Sequence, residues 1–485
     1  MILPPMRRLL RFFRRGAEKP TPSQPNILFV MADQMRADAL GIVNGWTRTP
    51  NLDRLAREGS LFQGMFTNSA ECIPARFSLA LGLYPHQTGV QENGTYTLNP
   101  EFPNWMQAVE RAGYRTSLFG KTHLHPHEGD LRDRLHLMHA YGLQVVDETT
   151  GPHASAHVLS NMTQSWQEQG IWEQYREDVV DRVRTKRHVV RPSVLGAEHH
   201  YDIYVGRQAA SYLEGLDEDA RPWFCWVSFG GPHEPWDAPE PYASLYDRTN
   251  IGSPVPRLRG HERVRGLLRR AFDSAQYSPP LDLDEVRALR TNYAGNVTLI
   301  DDQIGTILEV VRKRGELDRT LIVFTSDHGE MNGDQGLLYK ANFLDPVIQV
   351  PLIVRPPIGG GRRLSVIAEW MDVGATIIDY AGGSLPGLSH ARSLRPLIES
   401  RATAHRDFAV SEFRGHTALV DRSWKIEFDP DGRPALLFDR TNDPLEQINL
   451  VDDRRHVGVI AGLGERLAAF RAATPPPPVK ATYGD

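Results

Sequence analysis

The chain reads as an α/β protein: a large mixed, mostly parallel sheet sandwiched by helices, with a smaller C-terminal antiparallel subdomain. Three observations predict it. Continuous apolar runs recur through the first 330 or so residues, as in strands buried on both faces. Each run ends in polar residues or glycine, and segments of helical periodicity lie between them. Beyond residue 400 the pattern changes to short strand-like runs separated by turns.

The elements follow in order. Pro25–Ala32 is apolar throughout and ends in Asp33-Gln34. Thr49 and Pro50 open a helix as N-cap and first residue, and Gly59 closes it. A second helix starts at Cys72, since Pro74 suits a first turn, and Phe77, Leu79, Ala80, Leu81 and Leu83 give it a buried character up to Gly82–Pro85. Strands are predicted at Thr116–Phe119 before Gly120, at Trp223–Phe229 before Gly230-Gly231, and at Leu321–Ser326 before Asp327-His328-Gly329. Residues 130–200 and 240–285 carry charge clusters and prolines and read as insertions over the sheet. Pro386-Gly387-Leu388 marks a boundary, after which Asp407–Val420 and Trp424–Phe438 form the smaller unit. Pro475–Pro478 starts a polyproline-like tail. The expected division is a basic mobile tail (1–24), a main domain (25–385), a C-terminal subdomain (386–474) and a Pro-rich tail (475–485).

Composition narrows the function classes. At 485 residues, two packed units are expected. The 40% hydrophobic and 24% charged residues are those of a soluble globular protein. A net charge of −5 argues against nucleic acid as a partner, because no broad basic face can be assembled. Cys72 and Cys225 are the only cysteines, so there is no disulfide framework and no Cys-based zinc site, which fits a reducing compartment. Met6–Gly16 is basic and weakly amphipathic, but Arg11 and Arg14 interrupt any apolar core a secretory signal would need. The expectation is a cytoplasmic protein without a transmembrane segment; the alternative use of that stretch is a short membrane-surface helix.

Chemistry in open α/β sheets collects at the carboxyl ends of the strands. Asp33 and Gln34 end one predicted strand, and Asp327 and His328 end another. Two carboxylates, an amide oxygen and an imidazole can hold one divalent cation if these strands are neighbours. Taken singly, Asp33 and Asp327 serve equally as helix caps or turn formers. Cys72 enters its helix where free N–H groups and the macrodipole favour an anion, and Arg76 adds positive charge one turn on. An oxyanion ester is the natural guest there; an ordinary buried cysteine is the alternative.

Cys72-Ile73-Pro74-Ala75-Arg76, with its apolar helix and Gly82-Leu83-Tyr84-Pro85, resembles the signature of the formylglycine-dependent sulfatases of the alkaline phosphatase superfamily. Gly120-Lys121-Thr122-His123-Leu124 resembles that family's Gly-Lys-x-His-Leu, and Pro232-His233-Glu234-Pro235 its Pro-His-x-Pro. Lys340 matches its second lysine. Tyr293–Val297, Asp301–Gly305 and Leu437–Asp439 are further matches of a structural kind, so the resemblance spans about residues 25 to 460.

The resemblance implies an alkaline-phosphatase-like fold and a hydrolase of a small-molecule sulfate ester. It implies that a formylglycine-generating enzyme oxidises Cys72 to an aldehyde that hydrates to a geminal diol. One hydroxyl would attack sulfur, its proton taken by Asp327. His233, helped by Lys340, would protonate the leaving alcohol, and His123 would deprotonate the second hydroxyl so that sulfate is expelled. Arg76, Lys121 and a divalent cation on Asp33, Gln34, residue 72, Asp327 and His328 would stabilise charge. On an extended chain, Lys121 and His123 would project to the same side. The other reading for His123, with His125 and His127, is a surface histidine cluster or an adventitious zinc site, although no His-Glu-x-x-His pattern supports a zinc hydrolase. Asn93 stands where related enzymes contact substrate, and Asn93-Gly94 equally suits a turn.

Gln34 stands where arylsulfatases carry Asp, and His328 where Asn is usual. Both departures resemble phosphonate monoester hydrolases. Calcium suits the oxygen ligands and manganese the imidazole. The alternative function is therefore a phosphonate monoester or phosphodiester hydrolase on the same scaffold. Lys121 and His123 favour the sulfatase, since the phosphonate enzymes tend to carry Tyr and Thr there. A third reading is a non-catalytic anion binder in which Cys72 is never converted. The C-terminal tail is a candidate for contacts in a homo-oligomer.

Overall fold

The strand Asn26–Ala32 is apolar at all but its first position because both of its faces are covered. Ile27, Phe29 and Met31 join one hydrophobic cluster, and Leu28, Val30 and Ala32 join another, as alternating side chains on a strand must. The computed structural model describes residues 24–485 except 187, 218–220, 358, 385, 386, 388, 478, 479 and 485. Of the basic tail expected over 1–24, residues 1–23 therefore lie outside the described residues, as do Pro386 and Leu388 of the expected boundary and Pro478 of the C-terminal tail.

Eight strands form the main sheet, in the order 362–364, 60–62, 352–355, 320–326, 26–32, 223–228, 115–120, 145–148. Leu352–Arg355 runs antiparallel to both of its neighbours, and every other pairing is parallel. The first cluster is closed by helices Cys72–Leu81, Trp105–Arg111 and Asp372–Ala381. The second is closed by Pro50–Glu58, Tyr201–Glu214 and the long helix Leu283–Lys313. Phe29 is fully buried at the centre, edge-on to Trp105 at 5.8 Å and stacked on Trp226 at 5.7 Å between ring centroids. Phe29→Ala is expected to cost about 3–5 kcal/mol in a chemical-denaturation measurement, because the aromatic neighbours cannot collapse into the gap.

Several elements differ from the sequence expectations. Val145–Glu148 lies inside the segment read as an insertion, yet it is the edge strand of the sheet, parallel to Arg115–Gly120. Its two acidic residues and the 38% exposure of Val145 hide it, since an edge strand needs no continuous apolar run. Ser60–Phe62 and Arg362–Leu364 are too short to give a periodic signal. Thr49 occupies the N-cap, but its hydroxyl accepts from Gly41 N–H and donates to Asp53 instead of capping the helix.

The C-terminal unit is a four-stranded antiparallel sheet, Ala409–Phe413, His416–Val420, Trp424–Phe428 and Pro434–Asp439 in sequential order. One face shares a core with Phe66, Val347 and Ile348 of the main domain, and the other is covered by helix Val457–Ala473 through Leu463, Leu467 and Phe470. Arg406 ties the two units by buried ion pairs to Glu369 (3.1 Å) and Asp372 (2.5 Å). Both presumptive tails are fastened where they are described. Gln24 donates to the carbonyls of Ala112 and Ala381, and Thr482–Gly484 pairs antiparallel with Tyr96–Leu98. No helix among the described residues is long and apolar enough to cross a membrane.

The register sets the site. Ala32 pairs with Ser326, so Asp33 and Asp327 leave neighbouring parallel strands side by side although nearly three hundred residues separate them. The strands Trp223–Ser228 and Arg115–Gly120 end on the same edge and deliver His233 and Lys121.

Candidate active site

Cys72 is the first residue of its helix, and its thiol is buried among strand ends. Sγ lies 3.1 Å from His328 Nε2, 3.2 Å from Lys340 Nζ and 3.7 Å from Asp33 Oδ1. The structure brings these groups together: Asp33, Cys72, Asp327 and His328 place one ligand atom each within 4.8 Å of one another, and all four are buried.

The carboxylates are oriented for a common guest. Arg76 donates Nη2–H to Asp33 Oδ2 (2.9 Å) and Nε–H to Asp327 Oδ2 (2.8 Å), holding the two outer oxygens on one strut. Lys121 Nζ also donates to Asp33 Oδ2, at 2.5 Å. The two Oδ1 atoms face the other way, 3.9 and 3.8 Å from His328 Nε2. His328 donates Nδ1–H to the carbonyl of Gly329 (2.9 Å), which leaves the Nε2 lone pair directed at the cluster. Burial lowers the pKa of His328, so the ring is neutral and able to ligate. Burial pushes the Asp33 carboxyl up, but the charges of Lys121 and Arg76 outweigh it and hold the group well below the usual carboxylate range. This donor set fits a divalent cation: two ionised oxygens, one imidazole lone pair and the atom at position 72, on a strut that neutralises the excess charge behind them.

Arg76 differs from the expectation in what it touches. Its remaining nitrogen donates to Lys121 O (2.7 Å), Thr122 O (3.4 Å) and Ser228 Oγ (3.3 Å), so the guanidinium braces the strand ends and carboxylates. Asn93 differs too: its Oδ1 accepts from Ile73 N–H (2.9 Å), capping the helix that carries Cys72, while its own N–H donates to Glu71 (2.7 Å). That side-chain oxygen is engaged in holding the helix that carries Cys72.

Gln34 sits in the left-handed region (φ 67°) and connects the two halves of the site. Its Nε2 donates to Glu234 Oε2 (2.8 Å) and Glu330 Oε2 (2.5 Å), and its Oε1 accepts from Lys340 (2.7 Å). Lys340 also donates to His233 Nε2 (3.0 Å), and His233 Nδ1–H donates to the carbonyl of Glu234 (2.8 Å). Burial works against the Lys340 charge, but its place beside Cys72, Glu234 and Asp33 raises its pKa and keeps it an ammonium.

His123 reaches the site by a turn, which corrects the extended-chain expectation. The strand stops at Gly120 (φ 108°), where a Cβ would lie 1.9 Å from the Ser228 carbonyl oxygen, and His123 itself has φ 57°. Burial and then the Lys121 charge hold the His123 ring well below the usual histidine range, so it is neutral. The cluster with His125 and His127 is correspondingly not a surface one: His125 is 2% exposed, and the carboxylate of Glu148 binds it from the edge strand.

Sequence reasoning missed Glu330, Gly151 and Glu148. Glu330 lies two residues after His328 and accepts Asn332 N–H (2.9 Å) and Tyr339 N–H; burial and Glu234 push its pKa up to about 7. The acidic residue closing Asp327-His328-Gly329-Glu330 was the available signal. Gly151 packs against Lys121, with 3.2 Å from an added Cβ to Nζ, and nothing in its local pattern announces that approach.

Comparison with known proteins places these features. The family model described as Sulfatase matches residues 25–384, and that described as N-sulphoglucosamine sulphohydrolase, C-terminal, matches residues 333–473. A multifunctional alkaline phosphatase superfamily protein, PehA, of Trinickia caryophylli is 28% identical over 93% of this chain and 95% of its own. An arylsulfatase of Clostridium perfringens is 27% identical over 89% of this chain and 91% of its own. The crystal structure of a phosphonate monoester hydrolase of Agrobacterium radiobacter superposes with a TM-score of 0.77 at 28% identity, covering 93% of this chain and 96% of the other.

Proposed function

The chain belongs to the sulfatase family, and on that premise we propose that it hydrolyses a sulfate monoester to an alcohol and inorganic sulfate, with Cys72 matured to formylglycine as the nucleophilic residue. The observation that carries the reading is the convergence of Cys72 with Asp33, Asp327 and His328, flanked by Lys121, Lys340 and His233. A formylglycine-generating enzyme would be the maturation partner, and the modified residue would supply a hydrated aldehyde with two hydroxyls on one carbon.

Asp33, Asp327 and His328 would hold a divalent cation together with the oxygen at position 72. Gln34 would join them through the second lone pair of its Oε1. Such an ion lowers the pKa of a bound hydroxyl and polarises the ester. The imidazole favours manganese over calcium at this position. The remaining work falls to the chain. Asp327 accepts the nucleophile's proton. Lys121 lies closest to the Asp33 carboxylate and supplies positive charge to the ester oxygens. Lys340 donates to His233 Nε2, so the two act as the acid for the leaving oxygen. His123, held neutral by burial, is the base for the second hydroxyl. The alcohol half would extend into a cleft of about 550 Å³ lined by His153, Glu173, Val180, Glu234 and Tyr339, where the His153 ring lies 6.3 Å from that of His233.

A second reading, hydrolysis of phosphonate monoesters or phosphodiesters, is favoured by Gln34 and His328 and by the likeness to a phosphonate monoester hydrolase over nearly the whole chain. Lys121 and His123 tip the balance to sulfate. The test is kcat/KM on an aryl sulfate and on the matching aryl phosphonate monoester, measured on one preparation. The sulfate is expected to be turned over faster; a preference of about tenfold or more for the phosphonate, some 1.4 kcal/mol in transition-state binding, makes the second reading the correct one.

A further inference from the structure

Beside Asp33, Cys72, Asp327 and His328 stands a second group of metal-ligating side chains that includes none of those four. His125 donates Nδ1–H to the carbonyl of Pro126 (3.0 Å) and Nε2–H to Glu148 Oε2 (2.8 Å), so a cation bound here takes the place of the Nε2 proton. His127 Nε2 lies between the backbone N–H of His123 (3.3 Å) and Glu148 Oε1 (3.2 Å). Glu148 also accepts from the Thr122 hydroxyl. Two imidazole nitrogens and a carboxylate thus converge in a place where His125 and Glu148 are buried and the His127 side chain is 4% exposed. The three ligand atoms all lie within 4.8 Å of one another.

We propose that His125, His127 and Glu148 form a second cation site, selective for zinc-class ions, and that filling it engages His123 and slows turnover. Two imidazoles and one carboxylate are a borderline donor set that prefers zinc to calcium. Tetrahedral bonds of about 2.0–2.2 Å place ligand atoms about 3.3 Å apart, so a small spreading of the observed contacts admits the ion. His123 supplies the fourth position. Its ring lies 4.4 Å from that of His127 between centroids, and its Nδ1 is buried with no hydrogen-bond partner. A ring drawn onto the ion by Nδ1 is withdrawn from the ester. The binding half stands on these residues alone; the inhibitory half rests on the role given to His123 above.

The experiment is equilibrium dialysis of the purified enzyme, kept in saturating calcium, against micromolar zinc, followed by elemental analysis and by turnover of an aryl sulfate. The wild-type protein is expected to retain one zinc equivalent more than His127→Gln and Glu148→Gln, and to lose about a hundredfold in turnover, the usual contribution of a general base. Both variants are expected to keep their calcium-state activity when zinc is added. Equal zinc content in all three proteins overturns the site and leaves His125 and Glu148 as a proton-sharing ion pair. Extra zinc in the wild type with unchanged turnover overturns the engagement of His123. An enzyme inactive on every sulfate refutes the proposed activity, and the zinc count still decides the site. Should Glu148→Gln fail to fold, His127→Gln decides alone, because His127 lies at the rim of the cluster.

Discussion

Cys72→Ala is expected to lower sulfate-ester turnover by about 10⁴-fold or more, because it removes the bond-forming atom while leaving Asp33, Asp327, His328 and the neighbouring lysines and Arg76 in place. Cys72→Ser separates attack from release. A serine hydroxyl beside Lys340 and the two carboxylates can attack once, but it has no second hydroxyl with which to expel sulfate. A burst of at most one product per enzyme, followed by arrest, is therefore expected in rapid-quench measurements. The companion measurement is the mass of the tryptic peptide Glu58–Arg76 from protein made with a formylglycine-generating enzyme. An aldehyde at position 72 is the expected result. An unmodified thiol in fully active enzyme, or a Cys72→Ala variant with wild-type turnover, removes Cys72 from the mechanism.

Arg76→Met tests the other half of the site. Arg76, Asp33 and Asp327 are each no more than 1% exposed, and the guanidinium spans both carboxylates. Removing it leaves two buried negative groups facing each other with Lys121 on only one of them, a loss of about 3–5 kcal/mol on the scale of broken buried ion pairs. A cation on the Oδ1 side would offset part of that repulsion. The fall in thermal midpoint is therefore expected to be larger in chelator than in excess manganese or calcium. An equal fall in both conditions would mean that the carboxylates do not share an ion.

The parts of this site that were legible in the sequence are those written into contiguous segments. Asp33 and Asp327 stand out because each ends a strand that must be apolar on both faces, and Cys72 because its neighbours spell a helix start. Helix Cys72–Leu81 was readable with its end near Gly82–Pro85, and in the structure Gly82 takes the left-handed turn that ends it. Val145–Glu148 was not readable, because an edge strand with one covered side lacks the pattern that identifies a central one. Glu148 was lost with it, and with Glu148 the partner that turns two nearby histidines into a buried cluster.

The sequence by itself determined the α/β class, the place of Cys72 at a helix start and the residue types gathered around it. These follow from local physics: side-chain period, helix-start chemistry, and polar residues placed where apolar strands stop. Tertiary structure decided what each polar group is bonded to. Arg76 turned out to be a strut between carboxylates, Asn93 a cap on the helix that carries Cys72, and Gln34 a bridge from Lys340 to Glu234 and Glu330. The reason is that a hydrogen bond is set within a few tenths of an ångström. Pairing Ala32 with Ser326 brings distant segments to that range, and no spacing along the chain encodes it.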